Sequence, residues 1–226
     1  MIPWELLGKA QVPGDSGELR LYRRGKEFSI RVNAFELMNS SAHGSEEALA
    51  ELACSKIAGR SAPRVLIGGL GMGYTLAAAL RRLGPKARVV VAELVPELVA
   101  WNRGPLAALA GNPLQDNRVS IQEADVAQVL QAEQRAYDAV LLDVDNGPEG
   151  LTRQGNDWLY ARPGLEAAFA ALRPGGALAI WSASPNPSFS RRLRQAGFKA
   201  DEICERARGP RGGGHHTIWI AVRSSS

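Results

Sequence analysis

The 226-residue sequence predicts an α/β protein: a Rossmann-like, mostly parallel sheet with helices on both faces and a C-terminal antiparallel hairpin, preceded by a small N-terminal β-hairpin region. Three observations carry that expectation. From residue 64 onward, short apolar runs ending in Gly, Glu or Asp alternate with helical segments, as repeated βα units require. The apolar runs are unbroken at their centres, as in "YDAVLLDVD", which suits strands covered on both faces. One of them, "VLIGGLGMGYT", passes through a glycine-rich turn straight into a helix.

The elements follow in order. In residues 18–33, Leu19 and Leu21 alternate with Arg20 and Tyr22. After Arg24-Gly25-Lys26, Phe28, Ile30 and Val32 alternate with Ser29, Arg31 and Asn33. Period-two alternation about a glycine turn predicts a hairpin. "SEEALAELACSKI" predicts a helix with Ser45 as N-cap, Glu46 and Glu47 in its first turn and Leu49, Leu52 and Ala53 on one face. Residues 1–60 form the expected N-terminal region and 61–226 the Rossmann-like domain. Within the latter, "RVLIGG", "ARVVVAE", "RVSIQEAD" and "YDAVLLDVD" are strands. They are separated by the helices "YTLAAALRRLG", "PELVAWNRGPLAALAG" (interrupted at Gly104-Pro105) and "AQVLQAEQR". "GLEAAFAALRPGG" is a helix with a Pro-Gly-Gly stop before the strand "ALAIWSA". "FSRRLRQAGF" is the last helix, and "KADEICERA" and "HHTIWIAVR" are two strands joined by "RGPRGGG".

Composition narrows the function classes. Hydrophobic residues at 45% and charged residues at 22% support a packed core. The net charge of +4 comes without a basic, aromatic-interleaved stripe, so nucleic acid is not an expected partner. Arg191, Arg192 and Arg194 read as a solvated helix face. No apolar run is long enough for a membrane helix, and the N-terminal stretch does not read as a secretory signal. Cys54 and Cys204 have no metal-type spacing and read as two buried thiols in a reducing compartment, the cytoplasm. No metal-ligand set is found, and of the three histidines, His43, His215 and His216, the last two open a strand after a glycine loop and read as exposed.

The candidate site lies at the carboxyl ends of the strands, where an open α/β sheet forms its ligand crevice. Gly69, Gly71 and Gly73 let a ligand approach backbone N–H groups at a helix start. Glu93, about twenty residues later, can accept hydrogen bonds from both hydroxyls of a ribose. Asp125 and Asp143 end the next two strands, with Asp145 beside the latter. The third glycine position of a dinucleotide fingerprint falls on Tyr74, which disfavours a dehydrogenase.

With its Gly69-x-Gly71-x-Gly73 turn and terminal hairpin, the chain resembles the class I S-adenosylmethionine-dependent methyltransferases. Through "VVVAELVPELVAW", "YDAVLLDVDNGPEG" and "WLYARPGLEAAFAALRPGGALAI" it looks like their spermidine synthase branch, over residues 18 to 182. The resemblance implies S-adenosylmethionine, or its decarboxylated form, as cofactor. It implies Glu93 on the ribose, Asp125 near the adenine amino group and Asp143 as the catalytic aspartate. It also implies a small-molecule acceptor, possibly an amine, and a homodimer. Two departures stand out. The Asp that the branch carries inside its glycine loop is replaced by Gly71, and "SAHGSEEALAEL" matches poorly the Tyr/His/Glu arrangement ahead of the first core strand. Methyl transfer to a small molecule is the leading expectation. Aminopropyl transfer and a non-catalytic nucleoside-binding protein remain open.

Overall fold

The computed structural model describes residues 2–14, 17–33, 35–144, 147–148 and 157–224. Among these residues the strands form two sheets. The first is an antiparallel meander of β1 (Glu5–Gln11), β2 (Glu18–Arg24), β3 (Glu27–Val32) and β4 (Phe35–Asn39). The expected hairpin is its centre, β2 and β3. The outer strands escaped the period-two reading because β1 shifts register between Leu6 and Gly8 and β4 is only five residues long.

The second sheet holds the βα units. Strands β5 (Arg64–Gly68), β6 (Arg88–Glu93), β7 (Val119–Glu123), β8 (Tyr137–Leu142) and β9 (Leu172–Ser182) are followed by β10 (Phe198–Arg206) and β11 (His215–Arg223). Their spatial order is β10-β11-β9-β8-β5-β6-β7. The pairs from β9 to β7 are parallel, and the β11–β9 and β10–β11 pairs are antiparallel. The chain runs outward from β5 to β7, then returns to β8 on the other side of β5. The order therefore reverses between β5 and β8, and a crevice opens there.

The helices are α1 (Gly44–Lys56), α2 (Tyr74–Arg82), α3 (Pro96–Arg103), α4 (Val126–Ala132), α5 (Asp157–Tyr160), α6 (Arg162–Ala171) and α7 (Phe189–Gln195). Every residue of β8 is buried, and alternate side chains feed different cores. Val140 and Leu142 pack with α4 and α6 on one face, while Ala139 and Leu141 pack with α1 and α2 on the other. That is why the strand reads as a continuous apolar run. A third cluster joins Leu21 and Ile30 of the meander to Met72, Val95, Leu98 and Trp101. The small sheet is thereby seated over the glycine turn.

Several expectations change. Ser45 does not cap α1; His43 occupies the N-cap position, and Ser45 is buried inside the helix, where its hydroxyl serves a tertiary contact. The Pro-Gly-Gly run does not stop α6. The helix has already ended at Ala171, and residues 173–176 bulge from β9 between the Tyr137–Leu172 and Ala139–Ala177 pairs. Cys54 is buried, but Cys204 is exposed because β10 is the sheet's edge strand. Arg191 and Arg194 face solvent, whereas Arg192 is half-buried, donating to the Tyr160 carbonyl at 3.1 Å over the Phe189 ring. Among the described residues no helix is long and apolar enough to cross a membrane.

Candidate active site

The glycine turn begins where β5 leaves the sheet. Gly69, Gly71 and Gly73 all have positive φ (87°, 53° and 84°), the left-handed region that costs glycine least. At Gly69 space is limiting as well as torsion: a Cβ would collide with the Asp143 carbonyl oxygen. The turn is tied down from three sides. Gly69 donates its N–H to the Ala92 carbonyl at 2.9 Å. Buried Asn102 of α3 donates to the Gly71 carbonyl at 2.8 Å. Glu93 Oε2 accepts the Leu70 N–H at 2.8 Å while its Oε1 accepts the Val95 N–H at 2.9 Å. The two β-strand ends are thus locked by one carboxylate. Burial pushes the Glu93 carboxyl above its ordinary range, and these backbone donors oppose that shift.

A cavity of about 200 Å³ opens over this turn, between the meander and the crevice at the β5–β8 reversal. Gly69, Gly71, Glu93, Asp125 and Asp143 all line it. Gly73 stands behind them as the residue from which α2 starts. Asp125 also caps α4, accepting the Ala127 N–H at 2.9 Å. Leu37 and Met38 of the small sheet form part of the opposite, apolar wall.

Asp143 follows β8, its N–H donating to the Gly68 carbonyl at 3.0 Å. The Thr75 hydroxyl donates to Asp143 Oδ2 at 2.6 Å. Burial nevertheless raises the Asp143 carboxyl from 3.8 to about 6, against the pull of that hydrogen bond. Glu46, from the first turn of α1, lines the same cavity. Its carboxyl is raised well above the ordinary range, by burial first and then by the neighbouring charges of Asp143 and Glu47. Beside it, Ser45 Oγ accepts the Trp181 indole N–H at 3.0 Å and pairs with His216 Nδ1 at 2.8 Å. Trp181 also lines the cavity.

Glu46, Trp181 and Ser45 were not predicted. Glu46 carried only the signal of an acid in a helix's first turn, which favourable dipole interactions explain without a ligand. His216, read as exposed, is half-buried against Trp181, while His215 is exposed. Tyr160 is a packing residue, its hydroxyl donating to the Val144 carbonyl at 2.9 Å. Asp145 lies outside the described residues. Among the described residues no group of three or more His, Cys, Asp or Glu side chains is arranged to hold a metal ion.

The fold matches that of a solved structure of spermidine synthase from Thermotoga maritima. The TM-score is 0.74 at 16% identity, covering 98% of this chain and 74% of that one. The chain has the spermidine synthase fold. A spermidine synthase solved in complex with the transition-state analogue AdoDATO shares that fold at a TM-score of 0.73, again at 16% identity, over 98% of this chain and 73% of that one. In sequence, the chain is 35% identical over 114 residues to putrescine N-methyltransferase 4 of Nicotiana tabacum and to putrescine N-methyltransferase 1 of Nicotiana attenuata. Each match takes in 50% of this chain and 28% of the relative. No family model matches the chain. The small sheet, the glycine turn and the terminal hairpin all fall within the shared spermidine synthase fold, which extends over nearly the entire chain.

Proposed function

We propose that this chain is a transferase that takes S-adenosylmethionine as donor and methylates a small amine. One observation carries the reading: the ionisable side chains lining the cavity are Glu46, Glu93, Asp125 and Asp143, all acidic, with no Lys or Arg among the described lining residues. In a chain of net charge +4, such a cavity selects for cations. A sulfonium donor and an ammonium acceptor are cations. A dinucleotide would instead press its pyrophosphate against this acidic surface.

In that reading Glu93, already oriented by the Leu70 and Val95 N–H groups, uses its remaining lone pairs for the ribose hydroxyls. Asp125 stands near the adenine, and the glycine turn admits the adenosyl group to the backbone. The bound sulfonium supplies an electrophilic carbon. The protein's part is to align the acceptor nitrogen with it, keep water out and take up a proton, which falls to Asp143. The names of the sequence relatives support methyl transfer to a diamine. Aminopropyl transfer from the decarboxylated donor is the second reading, favoured by the fold of the solved neighbours. The free thiols fit a cytoplasmic location. The expected assembly is a homodimer, and light scattering that returns the mass of one chain removes it.

Thermal shift with S-adenosylmethionine, its decarboxylated form, methylthioadenosine and NAD tests the reading. Only a ligand that binds the native state raises the melting temperature. The adenosyl ligands should raise it and NAD should not. A shift with NAD alone overturns the proposal, and a larger shift with the decarboxylated donor than with S-adenosylmethionine replaces methyl by aminopropyl transfer.

A further inference from the structure

Thr75 closes the motif "VLIGGLGMGYT", two residues beyond its last glycine, and becomes the second residue of α2. It is buried behind the cavity and is not part of its lining. A threonine in a helix ordinarily turns its hydroxyl to solvent or to a backbone group close by in sequence. Here the hydroxyl crosses to a partner 68 residues away, donating to Asp143 Oδ2 at 2.6 Å. That length is characteristic of an O–H group on an ionised carboxylate. The competing acceptor, the Glu46 carbonyl, lies 3.5 Å away, at the limit of hydrogen bonding. The main chain of Asp143 is tied to the same unit, its N–H donating to the Gly68 carbonyl at 3.0 Å. Backbone and side chain of Asp143 are thus both fixed by the β5–α2 turn.

The other groups around Asp143 do not stabilise its anion. From α1 comes Glu46, whose own carboxyl is raised in part by the charge of Asp143. Glu93 of β6 and Asp125 ahead of α4 bring only negative charge to the same cavity, and Trp181 of β9 brings none. Among the described residues, the Thr75 hydroxyl is the group that opposes the effect of burial on Asp143.

We propose that Thr75 is a positioning residue for Asp143: its hydroxyl holds Oδ2, sets the plane of the carboxyl so that Oδ1 is left for the acceptor, and favours the anion that has to take the proton. The inference rests on the transferase reading. The acceptor's ammonium passes one proton to Oδ1 and keeps the N–H electron pair as a lone pair. That pair attacks the donor's carbon as the S–C bond breaks, and the S–C electrons leave on sulfur as a thioether. Oδ2, now a carbonyl oxygen, still accepts from Thr75, so the hydroxyl is satisfied in both states of the base. A neutral hydroxyl suits this place better than a cation. Lys or Arg here would hold the carboxylate too strongly for it to accept a proton near neutral pH.

The test compares Thr75→Val, in which a methyl group replaces the hydroxyl, with Thr75→Ser, which keeps the hydroxyl. Thr75→Ala repeats the loss should valine disturb the fold. Carbon-13 carboxyl titration of the ligand-free protein should show half-ionisation of Asp143 moving from about 6 in the wild type to about 7 in Thr75→Val. In Thr75→Ser it should stay near the wild-type value. Turnover of S-adenosylmethionine with 1,4-diaminobutane should fall in Thr75→Val, and the loss should be about threefold larger at pH 6.5 than at pH 8.5, the ionisation forfeited by that shift. Thr75→Ser should recover most of the turnover at pH 6.5. Affinity for S-adenosylhomocysteine should be nearly unchanged in all three variants, since Thr75 stays behind the cavity. An unmoved Asp143 titration in Thr75→Val, or a turnover loss equal at both pH values, overturns the role of Thr75 and leaves the transferase reading standing. A wild type that binds neither S-adenosylhomocysteine nor any adenosyl donor overturns that reading and the inference with it.

Discussion

On one side of the cavity, the glycine turn, Glu93 and Asp125 follow three adjacent parallel strands, and each lies within a few residues of the helix it introduces. On the other side, Glu46 comes from α1, Asp143 from the end of β8 and Trp181 from β9. Ser45 and His216, which hold Trp181 in place, are 171 residues apart. The first wall is made of local units in which strand, turn and helix specify one another. The second exists only once distant segments have met. The difference predicts how each wall responds to substitution: the local wall fails with the turn it belongs to, and the assembled wall can lose a single function while the fold persists.

Asp143 gives the largest contrast. Asp143→Asn keeps the shape and an acceptor for the Thr75 hydroxyl but removes the anion. Turnover should fall by about a hundredfold to ten-thousandfold, the range for a positioned acid–base group. Stability should move the other way. A carboxyl whose folded-state value lies near 6, against an ordinary 3.8, binds a proton more tightly when folded. Its contribution therefore favours the fold at low pH and is lost as pH rises from about 4 to about 6. Asp143→Asn should accordingly raise the melting temperature at pH 7.5 and change it little at pH 4. Equal shifts at both pH values would mean that the charge is not under strain, and undiminished turnover would remove Asp143 from the chemistry.

Glu93 tests the opposite wall. In Glu93→Gln the amide oxygen can accept only part of what the carboxylate takes from Leu70 and Val95 and, in the proposed function, from a ribose. Affinity for S-adenosylhomocysteine should fall by about 1.5–3 kcal/mol, roughly tenfold to a hundredfold. The melting temperature should fall as well, because the same group ties the glycine turn to β6. Loss of stability with unchanged affinity would leave Glu93 an architectural residue.

The same division explains what the sequence disclosed. The glycine turn, Glu93 and Asp125 were legible because each sits in a short strand–turn–helix pattern, and the β8 run announced a strand covered on both faces. Asp143 was legible through its strand end. Glu46 was not, since an acid in the first turn of a helix has a sufficient local explanation. Ser45 misled for the same reason: a serine ahead of two glutamates reads as a cap, and only the arrival of β9 and β11 against α1 recruits its hydroxyl elsewhere. The outer strands of the meander were hidden by an irregular register in β1 and by the brevity of β4. Where a residue's role is set by neighbours far along the chain, its local signal is either ordinary or wrong.

Ser45 itself supplies the smallest effect and the finest test of the assembled wall. It touches no expected ligand, but its hydroxyl is the link between the Trp181 indole and His216. Ser45→Ala leaves the helix intact, since Ser45 does not cap α1 and alanine is the better helix former. What is lost is an acceptor for the half-buried indole's N–H, a cost of about 1 kcal/mol. If Trp181 packs against the acceptor's charged nitrogen, that loss should appear as a rise in the acceptor KM of about fivefold, with kcat and the affinity for S-adenosylhomocysteine nearly unchanged. Ser45→Thr, which restores the hydroxyl, should recover most of the KM. A merely structural role would lower the melting temperature and move both kinetic constants together, and an unchanged KM in Ser45→Ala would take Trp181 out of the acceptor's wall.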